Sequence, residues 1–277
     1  MLKMESLKMR KRPMTWVTFA LLMLAVTSIP VLGYIAINAS SFESPAAKAE
    51  ELQSFLLPNG IGLALDVSYI VGSILLTVLG AGLIGSEYGW GTTRVLVGSG
   101  ADRTKLMLAK ILYLACLTFI FVLAGTLVGS LTSLAVTVVS GNELTLGTVD
   151  GAWFADLGLM VLRGYFLTMV SAVIGFAVAS ITRSFAAGIA VGIGIGVLEP
   201  ILTALLGLAG RVGDVVNQFL LTPNANSILA LNGFGEVTPP DNVLNPWQAA
   251  GVLLAYIVIL LGASIVIFRR RDVPSGS

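Results

Sequence analysis

Three ionisable residues stand in or at the edge of long apolar runs: Asp66, Arg163 and Glu199. A charge in hydrocarbon is costly and usually faces a cavity or a partner. Two uses are open to these three. They can form a polar cluster near the exit of a pathway, with Asp66 or Glu199 holding a proton or an ion. Alternatively Arg163 snorkels and makes a structural ion pair with Glu199. Other reactive types are scarce. The 277 residues include no histidine and one cysteine, Cys116. That removes haem ligation by histidine, HExxH proteases and Ser–His dyads. It also excludes a disulfide within the chain and a cysteine metal cluster. Cys116 lies in an apolar run and reads as a small core residue. Gly98-Ser99-Gly100 resembles a nucleophile turn, but without a histidine base it reads as a loop. No GxxxxGK[ST] phosphate loop is present, so ATP binding by that route is not expected. The chain is therefore expected to hold no catalytic residue, metal or cofactor.

The elements that must position these residues follow from composition. Hydrophobic residues make up 56% of the chain and charged ones 11%. Soluble domains carry about 25% charged residues. Too few polar groups remain to cover a globule, so lipid must be the solvent. Net charge is +1, which leaves no bulk field to attract nucleic acid. Six apolar runs, near 14–37, 63–86, 106–139, 157–181, 185–208 and 247–268, are long enough to cross a bilayer. A span takes roughly 20 helical residues, and only helices suit runs of this length. The fold class is thus an all-α integral membrane protein, read as one transmembrane domain over 1–277. The third run is over-long, and its end from Thr132 to Ser140 is expected to tilt, bend or emerge.

Lysine and arginine give the orientation. With the N-terminus inside, the inner segments hold Lys3, Lys8, Arg10, Lys11, Arg12, Arg94, Arg103, Lys105, Lys110, Arg183, Arg269, Arg270 and Arg271. The outer side holds only Lys48, Arg163 and Arg211. Both termini then lie in the cytoplasm, and the chain is expected in a bacterial or archaeal cell membrane. The first run is too long for a signal-peptide core, so it is expected to be an uncleaved anchor. Residues 1–12 alternate basic groups with Leu2, Leu7 and Met9. They suit either an amphipathic helix on the inner surface or a frayed basic tail. Residues 209–246 hold Val215–Leu221 and Ile228–Leu231, broken by Pro223 and Gly233. Such a segment is too short to span and too apolar for a plain loop. One or two short helices dipping into the outer interface are expected.

The segment 87–105 between the second and third runs carries the most information. Gly91 and Gly98–Gly100 permit sharp reversals around a short helix. Thr92 or Thr93 can cap that helix, Arg94 projects a charge, and Val95, Leu96 and Val97 offer apolar surface. Asp102 suits the N-cap of the third span. An apolar helix offered to the cytosol suggests a docking knob for a soluble partner, although an ordinary basic loop has the same residue types. The stretch resembles the signature of type-two ATP-binding-cassette (ABC) exporter permeases, the class of sodium, bacitracin and lantibiotic-immunity exporters. That pattern is a Glu ending the second span, Gly-Thr-x-Arg-x-Leu, a small-residue turn, Arg, and a Lys one turn into the third span. Here those positions are Glu87, Gly91, Thr92, Arg94, Leu96, Arg103 and Lys110. Val97 replaces a frequent second leucine. The resemblance implies that 87–105 is a coupling helix seated in a groove of a separate cytoplasmic ABC ATPase. ATP and Mg would be bound by that ATPase, not by this chain. It also implies pairing with a second permease copy or a similar permease, with the first and fifth spans near the seam.

Small residues recur at helical spacing. Gly188, Gly192 and Gly196 line one face of the fifth run. Ser171, Gly175 and Ala179 line the fourth, and Gly125 and Gly129 the third. Close helix packing is expected on these faces, within the chain or against a second copy. Two rival readings remain: a stand-alone secondary transporter or channel using Asp66 or Glu199, and a membrane scaffold. Export of an unidentified substrate, driven by a separate ATPase, is the reading the resemblance favours.

Overall fold

The computed structural model describes residues 2–40, 44–92, 98, 100, 102–141, 151–232 and 244–270. Six long helices cover the six apolar runs. They are α2 (Pro13–Ala39), α4 (Gly60–Gly89), α5 (Arg103–Val139), α6 (Gly151–Thr182), α7 (Phe185–Gly207) and α10 (Pro246–Arg270). Four short helices complete the described set: α1 (Leu2–Lys11), α3 (Pro45–Gln53), α8 (Arg211–Asn217) and α9 (Leu221–Leu229). A single 3-10 turn, Ala230–Asn232, extends α9. No strand occurs among the described residues.

The helices α4 and α6 form the centre. Of their most apolar 18-residue windows, α6 buries 78% and α4 61%, whereas α7 buries 6%. Their contact depends on missing side chains. A Cβ on Gly80 would strike the Ala172 carbonyl, and one on Gly175 the Thr77 carbonyl. Backbones can approach this closely only where no side chain intervenes. Thr77 then donates its hydroxyl to the Ser171 carbonyl across the gap, at 3.0 Å.

At 37 residues, α5 is about 55 Å long, well beyond the ~30 Å of hydrocarbon. Its last turns are nevertheless used. Ser133 donates to the Phe55 carbonyl at 3.0 Å, and Thr137 Oγ1 accepts from Leu57 N at 3.0 Å. These bonds hold the turn that leads into α4. The extension is therefore helix packed on the turn before α4.

Helices α6 and α7 are joined by Arg183 and Ser184 alone. Arg183 takes a left-handed φ of 58°, and Ser184 caps α7 by accepting from Ala187 N. One end of the bundle gathers α1, the starts of α2, α5 and α7, and the finishes of α4, α6 and α10. It carries Lys8, Arg12, Arg103, Lys105, Lys110, Arg183 and Arg269 and is called the basic end. At the opposite end, α9 packs Ala225, Ile228 and Leu229 against Leu167 and Val170 of α6 and Ala249 and Leu253 of α10.

Candidate functional site

The basic end holds a cluster of five charges, three of them buried, built on α1, α4, α5 and the joint between α1 and α2. Glu87 ends α4, and Lys110 lies two turns into α5. Lys110 Nζ is 2.8 Å from Glu87 Oε1. The same ammonium is 3.2 Å from both carboxylate oxygens of Glu5 on α1, and it donates to the Leu83 carbonyl at 3.3 Å. Glu5, Glu87 and Lys110 are each only 1% exposed. Lys8 closes on Glu87 at 3.1 Å and on Glu5 at 3.6 Å. Arg12, between α1 and α2, lies 3.9 Å from Glu87 and donates to Gly82 O and Ser86 Oγ. Its guanidinium also sits 5.0 Å over the Trp90 ring. Three cations face two carboxylates, for a local charge of +1. Glu87 Oε2 is buried and makes no hydrogen bond, so Oε1 carries the contacts.

The local sequence explains why α1 is ordered here. Glu5 and Met9 are four residues apart and share its inward face, with Lys8 beside them. Met9 is fully buried, while Lys3, Leu7, Arg10 and Lys11 remain exposed. Of the two readings of 1–12, the structure has the helix, but tied to the bundle through ionic groups. Glu87 and Lys110 are motif positions of the exporter-permease resemblance. It did not single out Glu5, Lys8 or Arg12. The available signal was a lone acid one turn before a methionine in an otherwise basic stretch.

Around the cluster, Gly91 and Gly100 adopt φ of 69° and 83°, the left-handed region that favours glycine. Thr92 donates its hydroxyl to the Glu87 carbonyl at 3.3 Å. It thus closes the end of α4, whereas the sequence offered it as a cap for the next helix. Asp102 caps α5 by accepting from Thr104 N at 2.8 Å and Lys105 N at 3.1 Å. Those N–H groups hold its carboxyl below the usual range. Arg103 donates to the Arg269 carbonyl and ties the start of α5 to the end of α10. Arg94 and Leu96 lie outside the described residues.

The three charges of the apolar runs do not form one cluster. Glu199 on α7 accepts from Leu221 N and, at 3.0 Å, from the Thr222 hydroxyl. Arg163 on α6 donates to Leu231 O at 3.1 Å and Asn232 Oδ1 at 3.0 Å. The anion therefore holds the N-terminus of α9 and the cation holds the end of its 3-10 extension. Each sits where it complements the helix dipole. The expected Glu199–Arg163 ion pair is absent, because each side chain is taken by one end of the same short helix. Asp66 makes no hydrogen bond or ion pair with a described residue.

The model of the ABC-2 family transporter proteins matches residues 1–273. The chain belongs to that family. It is a multi-pass cell-membrane protein and the permease component of an ABC transporter, a component that partners an ABC ATPase subunit. No curated protein matches the chain.

In this ABC-2 permease Gly188 and Gly192 of α7 face inward, whereas Gly196 is exposed. A Cβ on Gly192 would strike Thr77 Cγ2, and one on Gly188 would lie 2.6 Å from Ala81 Cβ and 3.0 Å from Ala179 Cβ. At Gly196 the nearest atom would be Ile74 Cγ1, at 3.7 Å. Gly188 therefore packs on α4 and α6 of its own chain, and Gly192 on α4. The opposite face of α7 exposes Val191, Leu198, Ile201, Leu202 and Leu205. Gly125 and Gly129 likewise meet Ser68 and Ala64 of α4. Cys116 corrects an expectation: it is exposed on α5, not in the core. An apolar run looks the same from both sides in sequence, and hydrophobicity cannot separate a lipid face from a core face.

Proposed function

We propose that this permease exports a substrate by coupling to ATP hydrolysis in a separate cytoplasmic ABC ATPase. ATP and Mg would be bound by that ATPase, and this chain would do no catalysis. The basic end would face the cytoplasm, as the excess of lysine and arginine there favours. Segment 87–105 would dock in the ATPase, with Arg94 and Leu96 making the contact. A second permease copy would pack against the exposed faces of α2 and α7. Bilayer lipid would cover the remaining apolar surface.

The observation that carries the reading is the buried charge cluster at the root of 87–105. Glu87 opens that segment, Lys110 follows it, and Glu5 contacts Lys110. A push on 87–105 would therefore move α1, α4 and α5 together. Ionic contacts between buried groups are strong only in good geometry, so the cluster favours discrete arrangements over gradual ones. A stand-alone carrier built on Asp66 and Glu199 has less support. The family match covers residues 1–273 and favours the ATPase-coupled reading, Glu199 holds the start of α9, and Asp66 has no polar partner among the described residues.

The test is mild solubilisation of the tagged permease from its native membrane. An ATPase with a phosphate loop should co-purify, and a cysteine at position 48 in a Cys116→Ser background should label only from outside. A permease that purifies alone from membranes known to contain such an ATPase, or labelling of position 48 only from the cytosol, contradicts the reading.

A further inference from the structure

A cavity of about 210 Å³ lies between α4, α6 and α7, beneath the start of α9. Its polar lining residues include Glu199, Thr222, Ser73, Ser171 and Asn226. Glu199 is only 8% exposed, and Ser73 Oγ is buried without a hydrogen-bond partner. Ile74, Ile174 and Ile195 supply apolar wall. The mouth opens beside Ile70 and Gly196, which are both exposed.

Charge balance in this cavity is incomplete. No lysine or arginine among the described residues lines it. Arg163 is held by Leu231 and Asn232. The N-terminus of α9 supplies only about half an elementary charge against the carboxylate. Asp66 adds a second negative group outside the cavity. It lies one turn from Ile70 on the stripe of α4 that continues through Ser73 and Thr77. A buried anion with spare lone pairs, an unpartnered hydroxyl and isoleucine walls match one ligand chemistry. It is a cation that donates hydrogen bonds and carries an apolar body.

We infer that this cavity binds a small protonated amine on a compact apolar body, with the ammonium on Glu199 and Ser73 and the body among the isoleucines. The size fits, since a dry cavity of about 150 Å³ accepts benzene. Asp66 draws the cation toward the mouth. Gly196, where an added Cβ would lie 3.7 Å from Ile74 Cγ1, keeps the α7 wall thin enough to leave the space open. Calling such an amine a transported substrate rests on the export reading; the binding itself does not.

The experiment uses the permease alone in nanodiscs, with radiolabelled benzylamine as probe and empty nanodiscs subtracted. Benzyl alcohol has the same shape without the charge. Benzylamine should bind saturably, and the alcohol should compete about tenfold or more weakly. Glu199→Gln keeps an acceptor for Leu221 and Thr222 and should weaken benzylamine binding by about tenfold or more. Ser73→Leu breaks no side-chain hydrogen bond and fills the cavity, so it should abolish binding of both probes. Equal affinity for amine and alcohol, unchanged binding in either variant, or no saturable binding by the wild type overturns the inference. If Glu199→Gln fails to fold, Ser73→Leu and the amine–alcohol comparison still decide it. No ATPase is present, so failure here is separate from failure of the export reading.

Discussion

Removing Glu87 should destabilise the permease more than removing Lys110, although the two form the shortest ion pair of the cluster. Glu87→Gln keeps shape and burial but leaves Lys8, Arg12 and Lys110 around Glu5 alone, and the local charge rises from +1 to +2. At an effective dielectric near 20, a pair at 2.8 Å attracts by about 6 kcal/mol and one at 3.1 Å by about 5. The Lys8 share is smaller than that in practice, since Lys8 is 28% exposed and screened. Relaxation and recovered solvation cut the total further, and stripping one partner from a buried pair typically costs about 3–5 kcal/mol. Lys110→Met leaves two cations and two carboxylates, and the thioether fills most of the vacated space. Its cost should be about 2 kcal/mol, mostly from the desolvated oxygens of Glu5. The double variant should cost about 2 kcal/mol less than the sum of the singles, as expected for groups in direct contact. Reversible SDS unfolding in mixed micelles gives all four free energies. Additive single effects, or a larger cost for Lys110→Met than for Glu87→Gln, would refute the electrostatic account of this end.

Two further outcomes follow from the packing. Gly192→Leu forces a side chain into Thr77 and should lower stability by about 1–3 kcal/mol or more, with oligomeric state unchanged by size-exclusion chromatography. A monomeric but equally stable variant would place the glycine row between subunits instead. Glu199→Ala leaves Leu221 N without its acceptor, at a cost of about 1–3 kcal/mol, and Arg163→Ala frees the other end of α9. Amide exchange should quicken across 221–232 in both variants, and exchange as slow as in the wild type would show that neither charge holds the helix.

The spans were legible because each is a long run that only lipid can solvate. The short helices after α7 were also legible, because Val215–Leu221 and Ile228–Leu231 are too apolar for a loop. Two things were hidden, for different reasons. Lys110, the buried partner of Glu5, and the partners of Arg163 and Glu199 lie 105, 68–69 and 22–23 residues away in the chain, and local periodicity says nothing about such distances. Glu199 and Arg163 looked like each other's partner because opposite charges in apolar runs invite pairing. The free ends of α9 compete for them and win, since unsatisfied backbone groups are costly in the same medium. The second hidden feature was the direction of each helix face. Gly192 and Cys116 both stand in apolar sequence, yet one packs against Thr77 and the other is exposed.

The central claim is that segment 87–105 transmits ATP-driven motion to the spans. It is tested most directly by ATP hydrolysis in the reconstituted complex of permease and co-purified ATPase, with Leu96→Asp in place of the wild type. An unpaired charge at the contact should cost several kcal/mol. The variant should insert at the wild-type level and lose either the ATPase or its transport-linked hydrolysis. A Leu96→Asp complex that assembles, hydrolyses ATP and transports like the wild type would contradict the account.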